Sequence, residues 1–196
     1  EFRRVLFRSN EKGEFLSAAD GQTVLDRAEP GSIEFASVDA LGIVRTDDSY
    51  AQKHIDAILQ YPLVDAAKIA KAGFRVVVDG INSSGALYVP MLLRALGVQE
   101  IVVLNDSITG DFAHNPEPLP EHLKELSAAV VTNKAHLGIA VDPDVDRLCF
   151  VNEDGSLFGE EYTLVAVADH ILSKRVGNTV SKDRKSTRLN SSHEWI

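Results

Sequence analysis

One cysteine in 196 residues, Cys149, leaves nothing to build a disulfide framework from and fits a reducing compartment. No apolar run approaches the roughly 20 residues that a membrane span requires. The opening EFRRVLFRS is too short and too rich in arginine for a signal peptide, so a cytoplasmic location is expected. Basic residues are also scarce, with 20 Lys+Arg against 29 Asp+Glu and a net charge of −9. That balance argues against nucleic-acid binding, whose affinity comes mostly from neutralising phosphates with Lys and Arg. Neither internal repeats nor low-complexity segments occur. What is present is 44% hydrophobic and 25% charged residues, the proportions of a globular protein with enough chain to bury a core unaided. The acidity fits an enzyme or a protein that holds metal cations.

The charge is uneven. Residues 1–9 and 182–196 together hold seven bases and three acids, which leaves 13 bases and 26 acids, net −13, in residues 10–181. Both ends read as foreign to the middle and resemble translated adaptor or vector sequence.

Between them, Ser17 is a candidate N-cap for a helix to Ala28, with Val24, Leu25 and Ala28 on one face. Thr46–Leu59 repeats Ile55, Ile58 and Leu59 at helical spacing behind Asp47 or Asp48, and Pro62 closes it. Asp65–Ala72 is a short helix stopped by Gly73. The pattern then changes. Phe74–Asp79, Ile101–Leu104 and Leu137–Val141 are short apolar runs, expected as buried strands. They alternate with helices over Ala86–Leu96, with Leu87, Met91 and Leu92 on one face, and over Glu121–Ala129. Cys149–Val151 and Leu157–Phe158 flank Asn-Glu-Asp-Gly as a hairpin, and Tyr162–Leu172 forms a last helix. Strands apolar on both faces and alternating with helices predict an α/β fold: a three-layer α/β/α domain with a mostly parallel, mixed sheet.

The strongest constellation is VDPDVDR at 141–147. Asp142, Asp144 and Asp146 follow a buried strand at every second position, which in extended geometry puts all three on one side. Three carboxylates so close repel one another, and a hard divalent cation with oxygen ligands, Mg²⁺ for this crowding, compensates them best. Arg147 adds a fixed cation suited to phosphate oxygens. An EF-hand is excluded although Glu153 falls at its twelfth position, because Arg147 stands at the sixth, where that loop needs Gly, and strands flank the segment. A haloacid-dehalogenase-type D-x-D-x-T/V motif mismatches at its fifth position, which is Asp146, and stays as the weaker alternative.

DPDVDR resembles the metal loop of the α-D-phosphohexomutases. FRVVVDGINSSGALYVPMLLRALG resembles the opening strand, loop and helix of that family's second domain, HNPEPLPEHLKEL its middle, and LGIAVDPDVDRLCFVNEDGSLFGEEYTL its continuation. NEKGEFLSAADGQTVL resembles the part of the first domain that follows the catalytic serine. The resemblance implies residues 10–54 as the remnant of domain I and linker, 55–175 as the metal-binding domain II, and 1–9 and 176–196 as ends outside them. It implies a Mg²⁺-dependent interconversion of hexose 1- and 6-phosphates through a phosphoserine, with Asp142, Asp144 and Asp146 as metal ligands and Arg147 steadying the transferring group. The substrate would be a phosphosugar, with neither nucleic acid nor membrane as partner. The family's Ser-His-Asn-Pro motif is not found, and Ser9 is not in it, so the residues given are expected to be inactive alone. A stand-alone Mg²⁺-dependent phosphatase and a non-enzymatic metal-binding module are the alternatives.

Other features have plainer readings. Asp79–Gly85 is a βα turn with Ser84 near an N-cap rather than an anion site, lacking a phosphate-loop Lys and the G-x-G-x-x-G spacing. His114, within Ala-His-Asn-Pro, is structural, and His54, His122, His136 and His170 are surface or packing residues. Cys149 is buried and inert. Glu160 and Glu161 are solvated or cap a helix, with an approach to the cation as the sharper alternative. Asn82 and Asn190 fit the glycosylation pattern, which means little without a secretory signal.

Overall fold

The computed structural model describes residues 10, 12–29, 31 and 34–173. Ser9, Asn190 and the expected foreign ends lie outside the described residues. The chain divides into two compact units between Asp47 and Asp48.

In the first unit, α1 (Ala18–Ala28) starts at Ser17 as expected, with a complete capping box. The Asp20 N–H donates to Ser17 Oγ at 3.2 Å, and the Ser17 N–H donates to Asp20 Oδ2 at 3.1 Å. None of its residues is buried, including Val24, Leu25 and Ala28 of the expected face.

The second unit holds α2 (Ser49–Leu59), α3 (Ala66–Ala72), β1 (Arg75–Asp79), α4 (Gly85–Ala95), β2 (Glu100–Leu104), α5 (Lys124–Thr132), β3 (Leu137–Val141), β4 (Leu148–Asn152) and α6 (Glu160–Leu172). The sheet order is β2-β1-β3-β4. β1 pairs in parallel with β2 and β3, while β4 returns antiparallel on β3, with Val141 opposite Leu148. This is the mixed α/β sheet expected from the sequence.

Val76 and Val78 face one side of the sheet and Val77 the other, as the pleat requires. On the first side they meet Ile139 and Val141 under Ile69, Val89 and Leu93 of α3 and α4. On the second, Val77 meets Leu126 and Val130 of α5, with Cys149 and Val151 of β4. Helices therefore cover both faces, and Cys149 is buried in the core as expected.

Three helices differ from what the periodicity predicts. In α4 the row that meets the sheet is Gly85, Val89 and Leu93, not Leu87, which is exposed. Gly85 allows this because a Cβ there would strike the Val141 side chain, so the helix lies close against β3. The helix expected at 121–129 begins three residues later: residues 119–123 form turns, and Leu123, 1% exposed, is driven into the core ahead of the first helical turn. Likewise α2 begins at Ser49, not Thr46. The hairpin forms, with Gly155 at φ 83° and a bridge from Val151 to Leu157. Among the described residues no helix is long and apolar enough to cross a membrane.

Candidate metal centre

β3 ends at Val141, and Asp142, 6% exposed, follows it directly at the carboxyl edge of the sheet. Ligands in open α/β sheets gather at this edge. The chain does not stay extended beyond it. The Val145 N–H donates to the Asp142 carbonyl at 3.1 Å, and Val145 itself sits at φ 62°. Asp142 Oδ1 accepts the backbone N–H groups of both Asp146 and Arg147 at 3.0 Å. The three carboxylates thus converge through a tight turn folded around Asp142, not through strand alternation. Oxygens of Asp142, Asp144 and Asp146 lie within 4.8 Å of one another, with Asp144 and Asp146 exposed.

Burial raises the Asp142 pKa above its ordinary value; the Arg147 N–H opposes this, while neighbouring Asp146 adds to it. The cluster gathers three carboxylates at one point. Its donors are all carboxylate oxygens, the donor set of a hard divalent ion, and close enough for one ion to be shared among them.

The loop is held from the side. Ser83 Oγ and Ser84 Oγ both donate to the Pro143 carbonyl, at 2.9 and 2.7 Å. Ser84 does occupy the N-cap position of α4, but its hydroxyl serves the aspartate loop and makes no cap hydrogen bond. These serines reach Pro143 because Gly80 lets the β1–α4 loop fold tightly: a Cβ on Gly80 would lie 2.5 Å from the Ala86 Cα. Arg147 stands beside the cluster. Its Nε lies 3.8 Å from Asp142 Oδ2 and its Nη1 donates to Glu117 Oε1 at 3.3 Å. The Nε is buried with no hydrogen-bond partner among the described residues. Asp144 also edges an open cavity of about 460 Å³ between α2 and α4, walled by Tyr50, His54, Ile58, Tyr88 and Leu92.

Asp79, which the sequence marks only as the start of a βα turn, stands at the same carboxyl edge. Asp79 ends β1 buried at 1%, accepting from Asn105 Nδ2 at 2.9 Å and facing His114 Nε2 at 2.9 Å. A signal was available, since FRVVVD ends on an aspartate as LGIAVD does. His114 is packed within the fold as read, and His122 stacks on it at 6.5 Å. His136 Nδ1 accepts the Arg75 N–H at 3.0 Å, away from the cluster. His54 lines the cavity. The Glu160 and Glu161 side chains lie outside the described residues.

Residues 52–155 match the family model of phosphoglucomutase/phosphomannomutase, alpha/beta/alpha domain II. The chain belongs to the phosphoglucomutase/phosphomannomutase family. It is 38% identical over 138 residues to a phosphoglucomutase/phosphomannomutase of Thermococcus kodakarensis, covering 70% of this chain and 29% of the relative. Against a phosphoglucomutase of Neisseria gonorrhoeae it is 33% identical over 158 residues, covering 79% and 34%. A crystal structure of a phosphoglucomutase/phosphomannomutase family protein from Burkholderia thailandensis superposes with a TM-score of 0.59 at 26% identity, covering 81% of this chain and 32% of that one. The chain spans about a third or less of the length of the curated relatives it matches.

Proposed function

We propose that this chain supplies the metal-binding part of a hexose-phosphate mutase, an intramolecular phosphotransferase that moves a phosphoryl group between the 1- and 6-positions of a phosphosugar. In this reading residues 55–175 are the metal-binding domain and residues 10–54 belong to the domain before it. Asp142, Asp144 and Asp146 hold Mg²⁺, and Arg147 is the catalytic cation of the site. The observation that carries the reading is the convergence of three carboxylates and one arginine on the carboxyl edge of a mixed sheet, in a chain of this family.

Phosphoryl transfer asks a protein mainly for positioning and for charge neutralisation. Bound Mg²⁺ would supply double positive charge against phosphoryl oxygens. The chain's own residues do the rest. Asp142 spends Oδ1 on ordering the loop and keeps Oδ2 toward Arg147. Asp144 and Asp146 present exposed carboxylates to the same point. The Arg147 guanidinium, held on two edges by carboxylates, offers its remaining donors to an anion. The sequence contains no Ser-His-Asn-Pro, so the phosphoryl-carrying serine comes from outside these residues.

Calorimetric titration of the 196-residue chain with Mg²⁺ tests the reading. One site is expected, lost in Asp144→Asn with the fold intact by circular dichroism. An absence of Mg²⁺ binding overturns it. A clear preference for Ca²⁺ points instead to a non-enzymatic metal module, and phosphate release from simple phosphate esters points to a phosphatase.

A further inference from the structure

A polar network anchored on buried Asp79 reaches Arg147 through the segment of His114 and Glu117. Asp79 Oδ1 accepts the Ile81 N–H at 3.0 Å and Asn105 Nδ2 at 2.9 Å, while Oδ2 lies 2.9 Å from His114 Nε2. The other ring nitrogen, Nδ1, lies 2.8 Å from the Asn115 carbonyl oxygen. A carboxylate and a carbonyl both accept. Both contacts are hydrogen bonds only when both ring nitrogens carry protons, so the geometry selects the imidazolium. Burial opposes that charge, but the Asp79 hydrogen bond, the Asn115 carbonyl and the charges of Asp79 and Glu125 together raise the His114 pKa. The charged and titratable groups around the ring are Asp79 from β1, Glu125 from α5 and the stacked His122.

Three residues after His114, Glu117 Oε1 accepts from Arg147 Nη1 at 3.3 Å. The Glu117 N–H donates to Asn115 Oδ1 at 3.1 Å, so one short segment carries both contacts. An exposed carboxylate alone would fix an arginine weakly, and the Glu117 side chain is 52% exposed. Its placement comes instead from the backbone that His114 anchors. The segment is further tied to the β1–α4 loop, where Asn82 Oδ1 accepts the Ala113 N–H at 3.1 Å.

We infer that His114 and Glu117 are positioning residues for Arg147: the Asp79–His114 clamp holds residues 114–117, and Glu117 sets where the guanidinium lies beside the aspartate cluster. The functional meaning of this rests on the phosphoryl-transfer reading above; the mechanical coupling does not. When His114 loses its proton, one of its two hydrogen bonds is lost, the segment loosens, and Arg147 loses its outer support.

The test is nitrogen-15 NMR of the 196-residue chain from pH 5.5 to 8.5, following the His114 ring and the Arg147 Nε–H. The Arg147 signal is expected to move with the His114 midpoint. In Glu117→Ala, His114 should titrate as before while the Arg147 movement disappears. In His114→Gln, Arg147 should hold its high-pH position at every pH. If that variant fails to fold, Glu117→Ala, at an exposed position, decides alone. An Arg147 signal that ignores His114 titration, or that still follows it in Glu117→Ala, overturns the inference. Mg²⁺ added to the same samples separates the two readings: tracking without Mg²⁺ binding sinks the phosphoryl-transfer reading alone, and Mg²⁺ binding without tracking sinks the positioning alone.

Discussion

Asp142 does two jobs that substitution can separate. Its Oδ1 accepts two backbone N–H groups, and an asparagine Oδ1 can accept the same two. Asp142→Asn should therefore keep the turn but weaken Mg²⁺ binding at least tenfold, about 1.4 kcal/mol, read by calorimetry. The raised pKa means that burying the charged form opposes folding. Without metal, the variant should melt no lower than the unsubstituted chain; a clear drop would show that the charge itself holds the turn. For His114, whose pKa is also raised, the charged form is the protonated one, so here the charge favours folding. Its stabilising contribution is full below the ordinary imidazole value of about 6.5 and is lost as pH rises through its folded value. Urea midpoints should fall between neutral and mildly alkaline pH in the unsubstituted chain and flatten there in His114→Gln. The aspartates and Arg147 were legible as a spacing of like charges behind an apolar run. The pairings of Asp79 with His114 and of Glu117 with Arg147 were not, because they join positions 35 and 30 residues apart, and no local period records such a partner.

The elements were legible where one local preference decided them. The β-branched core of β1 and the LGIAV of β3 have no helical alternative of comparable burial, and Asp65 and Gly73 bracket α3 by capping and by a left-handed stop at φ 62°. The facing of α4 and the start of α5 were not, since both depend on what the other side of the contact offers. Gly85 lets α4 lean on Val141, and the pocket that takes Leu123 delays α5. Close approach is also visible at Gly138, where a Cβ would lie 2.8 Å from Val130 Cγ2 and 2.9 Å from Val151 Cβ. Gly138→Ala should cost about 1–3 kcal/mol by overpacking β3 against α5 and β4, measured by chemical denaturation. Leu126→Ala, which opens the same interface from the helix side, should cost about 2–5 kcal/mol.

At the scale of the molecule, the loops after β1, β2 and β3 form one connected layer on the carboxyl edge. Ser83 and Ser84 tie the first to the third through Pro143, and Asn82 and Asp79 tie the first to the second. In the proposed reading this layer is half of a site whose other half lies outside these residues. The 196-residue chain should accordingly show no conversion of glucose 1-phosphate in a coupled mutase assay, even with Mg²⁺ and the bisphosphate present; turnover by the chain alone would refute that division. The antiparallel return of β4 has a consequence for the thermodynamics of binding. Because Val141 faces Leu148, the aspartate loop is only the six residues between them, closed at its base by a β ladder on both arms. Joining the ends of so short a span is already settled when the sheet forms. A cation arriving there has little chain entropy left to remove, so its binding should show a heat-capacity change near zero and leave the amide exchange of β3 and β4 as slow as before.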